Sequence, residues 1–191
     1  MEDAFYQTPQ SVQEYINMAK DVSGKELIEK LKLHLPAGSK VLELGSGPGT
    51  DWQILSESYQ VTGSDFSAEF LKHLIATYPV GDFLQLDAGT LLTDQMFDGI
   101  YSNKVLHHLT DEQLATSVKR QHAILHPGAV ICHSFWRGEG SEIFKGLFVN
   151  YHEAENLRQL FGEYFELLLI APYLEFEEND SLVLIGRKKE N

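Results

Sequence analysis

Sulfur chemistry is nearly absent from this chain. A single cysteine, Cys132, stands among 191 residues, so no internal disulfide can form and a reducing compartment is expected. Its place inside an apolar run reads as a small buried hydrophobe. Proline is scarce, with six, which sets the chain apart from disordered and fibrous proteins. No apolar run approaches the ~20 residues of a membrane span. The opening Met1-Glu2-Asp3 lacks the basic flank and apolar stretch of a secretory leader. Together these absences predict a cytoplasmic protein that does not engage a membrane. Positive charge is also short: 15 Lys and Arg face 28 Asp and Glu, a formal net charge of −13. Nucleic-acid binders need a basic face, because phosphate neutralisation supplies most of their affinity. The one dense basic cluster, Arg187-Lys188-Lys189, reads as a solvated tail, so DNA and RNA are not expected partners. What is present, 43% hydrophobic and 23% charged residues, fits one globular domain rather than two.

Strands and helices alternate along most of the chain. Two helical patterns come first, Val12, Tyr15, Ile16 and Ala19 on one face, then Leu27, Ile28, Leu31 and Leu35 on another, both near the 3.6-residue period. Pro36-Ala37-Gly38 ends the second. Strands are then expected at 41–44, 59–64, 83–86, 97–102 and 129–135. Helices are expected at 50–58, with Thr50 as a possible N-cap, and at 68–78, 111–125 and 153–161. Residues 136–151 read as a loop. Two strand-like runs, 165–176 and 182–187, are separated by Glu177-Glu178-Asn179-Asp180. A link that short cannot hold a crossover helix, so the last two strands must be antiparallel neighbours. The pattern is an α/β, doubly wound seven-stranded sheet with helices on both faces and ligands at the carboxyl ends of its strands.

Most information lies in Val41-Leu42-Glu43-Leu44-Gly45-Ser46-Gly47-Pro48-Gly49-Thr50. A glycine turn from strand to helix lets backbone approach a ligand closely. The spacing Gly45-x-Gly47-x-Gly49 departs from the dinucleotide fingerprint, and no Lys-Ser/Thr pair makes it a P-loop. Between Val41 and Leu71 there is no Lys or Arg, but five acids: Glu43, Asp51, Glu57, Asp65 and Glu69. Asp51, in the first helical turn, would compete with an anion for the helix dipole. Such a cradle suits a ligand carrying ammonium and sulfonium groups, not a diphosphate. Glu43, at the end of an apolar strand, needs a partner and is read as serving an amino group. Asp65 ends the second strand twenty positions beyond Gly45, where a carboxylate accepts from ribose hydroxyls.

With these residues in view, the chain resembles class I S-adenosylmethionine-dependent methyltransferases, especially the small-molecule branch with domains of the methyltransferase type 11 and type 25 kind. The resemblance runs from Lys40 to Arg187. It rests on the Val41–Thr50 motif, Gly63-Ser64-Asp65-Phe66-Ser67, Leu86-Asp87-Ala88, Phe97 through Leu109 and Leu125-His126-Pro127-Gly128-Ala129. It implies the strand order 3-2-1-4-5-7-6 with the seventh strand antiparallel. It further implies a core domain at 39–191 behind an N-terminal helical lid at 1–38. Gly45, Ser46 and Gly47 would pass under the methionine part of S-adenosylmethionine. Phe66 would flank the adenine, Asp87 and Ala88 would bond its edge, and backbone at Ser102-Asn103 would close the site. S-adenosylhomocysteine would be the product.

Methyl transfer asks the protein mainly to align the nucleophile and exclude water. A general base helps when the nucleophile carries a proton. Histidine suits that role, and His107 and His133 stand near the ends of strands four and five. His108, Trp136, Arg137 and Tyr151 are expected around a substrate pocket. Phe5, Tyr6 and Tyr15 lie on the N-terminal segment, with Tyr6 or Tyr15 placed to cover the cofactor and Tyr15 also read as core. Trp52 reads as core. No histidine pair has zinc-ligand spacing with a third partner, so no metal is expected. The expected acceptor is a small molecule. Peptide methylation, a non-catalytic cofactor-binding regulator and, more distantly, an NAD(P) oxidoreductase are the other readings. Neither the acceptor nor the oligomeric state is written in the sequence.

Overall fold

The computed structural model describes Tyr6, residues 8–19 and residues 22–189. Phe5, and residues 1–4, 7, 20 and 21 of the expected N-terminal segment, lie outside the described residues.

A sheet of seven strands divides the molecule. In chain order its members are β1 (Lys40–Leu44), β2 (Gln60–Asp65), β3 (Asp82–Gln85), β4 (Phe97–Asn103), β5 (Leu125–Trp136), β8 (Phe165–Tyr173) and β9 (Ser181–Lys188). Their spatial order is β3-β2-β1-β4-β5-β9-β8. The pairings among β1 to β5 are parallel, and β9 runs antiparallel to both β5 and β8. Counting only these seven strands, the order is 3-2-1-4-5-7-6, as the sequence resemblance implied. The β8–β9 link is closed by Asp180, whose carboxylate accepts the amides of Glu175, Phe176 and Glu177, each at 3.0 Å. Burial alone would raise that carboxyl's pKa, but the amides pull it down to about 2.

Central strands such as β1 are buried on both faces, as parallel strands must be when helices cover both sides. One core layer joins Leu42, Leu44 and Ile100 to Leu114 and Val118 of α5 (Asp111–Ala123) and to Leu157 and Phe161 of α6 (Ala154–Gly162). The opposite layer joins Val41, Tyr101 and Cys132 to Leu27, Ile28 and Leu31 of α2 (Lys25–Lys32) and to Leu55 of α3 (Thr50–Ser56). Alternation along each strand sends neighbours to opposite layers. The helix α4 (Ala68–Thr77) packs on β2 and β3, and α1 (Pro9–Met18) packs on α4. Capping boxes start α1 (Thr8 with Ser11) and α5 (Thr110 with Gln113).

Three local expectations are corrected. Residues 136–151 are not simply a loop: β6 (Ser141–Phe144) and β7 (Leu147–Asn150) form an antiparallel hairpin. Its turn is Lys145-Gly146, with φ of 50° and 84°, the pair of positive values that matches hairpin twist. Lysine rarely takes that conformation, which is why the turn is hard to read in advance. The helix expected to reach residue 125 ends at Ala123, because β5 already begins at Leu125, paired with Phe97. The N-cap of α3 is Gly49 at φ 87°, not Thr50, which is the first helical residue. Among the described residues, no helix is long and apolar enough to cross a membrane.

Candidate functional site

Strand order reverses between β1 and β4, and a crevice opens there at the carboxyl ends of the strands, where α/β sheets bind ligands. A pocket of about 380 Å³ fills it. Gly45 and Gly47 form its floor at φ 64° and 47°, a left-handed conformation that side chains avoid. A β-carbon on Gly45 would come within 2.5 Å of the Val105 side chain, whereas one on Gly47 would make ordinary contacts with Tyr15 at 3.9 Å and the Gly45 carbonyl at 4.0 Å. Gly47, which lines the pocket, is therefore required by its left-handed backbone rather than by crowding.

Asp65 ends β2 at the pocket wall. One carboxylate oxygen accepts the Gly47 amide at 3.0 Å and the other the Ser67 amide at 2.8 Å. Burial nevertheless pushes its pKa up to about 6, against the pull of those amides. Phe66 projects beside it, 54% exposed. Asp87 and Ala88 follow β3; the Asp87 carboxylate accepts the Gly89 amide at 2.6 Å, and the Ala88 carbonyl accepts from Ser117 Oγ at 2.6 Å. Asn103 ends β4, donating to Asp51 at 3.1 Å and accepting from Ser134 Oγ at 2.6 Å. Tyr6, Tyr15 and Phe70 close one side, their ring centroids 5.4 to 5.7 Å apart. His108 adds its ring beside Tyr6, and its Nδ1 lies 2.7 Å from the Phe148 carbonyl on the hairpin.

The pocket thus gathers Gly45, Gly47, Asp65, Phe66, Asp87, Ala88, Asn103, Tyr6 and His108 from the residues singled out in the sequence. Glu43 and Ser46 stand behind the glycine turn instead. Ser46 Oγ donates to the Glu43 carboxylate at 2.5 Å and receives the Ser64 amide at 3.1 Å. Burial first, then the Asp51 charge, holds the Glu43 carboxyl well above its usual range. His133 lies in the core outside the pocket. Its Nδ1 meets Ser102 Oγ at 2.8 Å and its Nε2 meets Gln121 Oε1 at 2.9 Å. Burial lowers its pKa to about 3. His107 is also buried outside the pocket, its ring tilted 46° against that of His108 with centroids 4.0 Å apart. Burial and the neighbouring His108, Lys104 and His152 push its pKa well below normal.

Trp136, Arg137 and Tyr151 do not line the pocket. Arg137 pairs with Glu153 at 3.1 Å, and Tyr151 donates to Glu142 at 2.6 Å. Trp136 covers the ammonium of Lys104, 3.5 Å from its ring centroid. Lys104 Nζ also donates to Ser181 Oγ at 2.5 Å and to the Phe135 carbonyl at 3.3 Å. Burial draws its pKa down to about 8, with Glu175 and Asp180 opposing. Trp52 packs between Tyr78 and Phe83, away from the pocket. Cys132 is buried, and burial raises its thiol pKa to about 12.

Sequence reasoning passed over Lys104 and gave Asp51 too small a part. Lys104 sits beside Asn103 in the quoted motif, but its left-handed backbone, φ 55°, leaves no mark in composition. Asp51 is only 9% exposed and accepts three hydrogen bonds, from the Gly24 amide, the Tyr101 hydroxyl and Asn103. Glu43, Asp51 and Asp65 are thus three buried carboxylates around one glycine turn, and none has an ion-pair partner among the described residues.

The sheet order β3-β2-β1-β4-β5-β9-β8 gives the α/β fold that class I methyltransferases share. Residues 41–128 match the family model described as a methyltransferase domain. Over 105 residues it is 33% identical to trans-aconitate 2-methyltransferase of Variovorax paradoxus (strain S110), a stretch spanning 52% of this chain and 39% of that enzyme. The chain thus matches well under half the length of that relative. In fold it is similar to 1,6-didemethyltoxoflavin-N1-methyltransferase of Burkholderia thailandensis, solved with 1,6-didemethyltoxoflavin and S-adenosylhomocysteine. That likeness has a TM-score of 0.78 at 21% identity and covers 95% of this chain and 85% of that one. It is also similar to the N-methyltransferase NodS of Bradyrhizobium japonicum WM9 in complex with S-adenosylhomocysteine, at TM-score 0.76 and 18% identity, over 99% and 100% of the two chains.

Proposed function

We propose that this protein is an S-adenosylmethionine-dependent methyltransferase acting on a small molecule. One observation carries the reading: Glu43, Asp51 and Asp65 are buried around a glycine turn with no ion-pair partner among the described residues. Buried carboxylates without a counter-ion are costly. A ligand bearing an ammonium and a sulfonium supplies the missing positive charge, whereas a pyrophosphate would add to the repulsion. The pocket lined by Gly45 and Gly47, with the Asp65 carboxylate beside them, fits a ribose and a methionine chain lying across the turn.

When bound, the cofactor supplies an activated methyl group. The chain's own residues hold and orient. Asp65 accepts from ribose hydroxyls, Asp87 and the Ala88 amide read the adenine edge, and Phe66 flanks the base. The aromatic wall of Tyr6, Tyr15 and Phe70 excludes water from one side of the pocket, which strengthens the remaining polar contacts. His108, on the hairpin side, is the histidine of the three that reaches the pocket. A small acceptor agrees with the pocket's size and with the small molecules named in the comparison proteins.

The test is calorimetric titration with S-adenosylhomocysteine, S-adenosylmethionine and NADH, followed by labelled cofactor incubated with fractionated metabolite extract and separately with lysate protein. Micromolar binding of the first two, none of NADH, and label in the small-molecule fraction are expected. Absence of binding by both sulfur compounds would overturn the cofactor assignment. Label found only in protein would overturn the acceptor class.

A further inference from the structure

Gly24 precedes α2 with φ −82° and ψ 25°, a conformation open to any residue. Its backbone therefore does not require glycine. The surroundings do: a β-carbon there would stand 1.9 Å from the Tyr101 hydroxyl, 2.5 Å from an Asp51 carboxylate oxygen and 2.9 Å from Asn103 Nδ2. The close approach serves one contact, the Gly24 amide donating to Asp51 Oδ1 at 2.6 Å. The other carboxylate oxygen accepts from the Tyr101 hydroxyl at 2.8 Å and from Asn103 Nδ2 at 3.1 Å.

Asn103 carries the connection onward. Its Oδ1 accepts from Ser134 Oγ at 2.6 Å, and Ser134 Oγ accepts the Lys104 amide at 2.9 Å. Asn103 and Lys104 are pocket wall at the end of β4. On the other side of the carboxylate, the segment leading to Gly24 contains α1, whose Tyr15 lies over Gly47 and completes the aromatic wall. One buried carboxylate on α3 therefore ties the end of β4, which lines the pocket, to the segment entering α2, which follows the α1 helix that carries Tyr15. Charge-assisted hydrogen bonds of this kind are the stronger ones.

We propose that Asp51 is a positioning residue that latches the N-terminal segment to the cofactor pocket, so that the Tyr15 wall and the Asn103 wall are set by a single contact network. The inference rests on the cofactor reading above and assigns Asp51 no contact with the reacting atoms. It gives the acid in the first turn of α3 a role that the cofactor contacts alone do not require.

The experiment is hydrogen exchange of the α1 amides in the full chain, with and without S-adenosylhomocysteine, alongside calorimetry of that ligand. Asp51→Ala is expected to speed α1 exchange in the free protein and to weaken binding about tenfold, the usual effect of losing a charge-assisted bond. Asp51→Asn keeps an oxygen for the Gly24 amide and is expected to restore α1 protection. If Asp51→Ala does not fold, Tyr101→Phe removes one donor and keeps the packing; it should show the same effects more weakly. A variant that melts lower, yet keeps wild-type α1 exchange and affinity, would reduce Asp51 to ordinary core support and overturn the proposal. Failure of the wild type to bind the ligand overturns the cofactor reading instead, and α1 exchange in the free variants still decides the latch.

Discussion

Lowering the pH should loosen the cofactor, and the size of the effect follows from one residue. Asp65 has its pKa raised to about 6 by burial. In the proposed complex it accepts from ribose hydroxyls, a role that favours the ionised form. Binding therefore lowers its pKa further, and affinity must fall as pH drops through 6. With a pKa near 6, about nine-tenths of Asp65 is ionised at pH 7 and about one-tenth at pH 5. S-adenosylhomocysteine should bind about tenfold more weakly at pH 5, roughly 1.4 kcal/mol. Calorimetry across pH 5 to 8 at constant salt reads the slope. Repeating it near pH 6 in two buffers of different ionisation enthalpy should reveal about half a proton released per ligand bound. An affinity that is flat, or that rises on acidification, would refute the assignment of Asp65 to the ribose.

Asp65→Asn should weaken S-adenosylhomocysteine about ten- to a hundredfold and flatten that pH slope, because the carboxamide does not titrate. Gly45→Ala forces a β-carbon against Val105 in a left-handed backbone and should cost about 1–3 kcal/mol in urea unfolding. His133, buried with its pKa depressed to about 3, stabilises the fold above pH 6.5, and that stability is lost as pH falls. Between pH 6.5 and 5 the loss should be about 2 kcal/mol, and His133→Gln should flatten the acid limb of the stability curve. Trp136→Ala strips the aromatic face from the Lys104 ammonium and should destabilise the protein by about 2–4 kcal/mol. Because Trp136 lies outside the pocket, affinity for S-adenosylhomocysteine should stay within about twofold of wild type.

Much of the pocket's lining was legible because its signals are local. The acids and glycines of 43–51 are contiguous, and Asp65, Asp87 and Asn103 each follow a strand whose apolar run is plain in the sequence. The placement of the histidines was not. The sequence marks His107 and His133 as candidate bases and His108 as a pocket residue, and of the three only His108 lines the pocket. His133 falls on the α5 side of the sheet, held by Ser102 and Gln121, and strand alternation sets that side. The hairpin at 141–150 was missed because its strands are four residues long and its turn places a lysine at positive φ.

Periodicity by itself determined the doubly wound sheet and the antiparallel final pair, and the acids and glycines of the turn pointed to a positively charged ligand, since each depends on residues close together in the chain. Only tertiary structure decided that Gly24 meets Asp51 across 27 positions, that Lys104 spends its charge under Trp136, and which histidine faces the pocket. Those are distances between segments that packing alone brings together, and no local pattern in the chain encodes them.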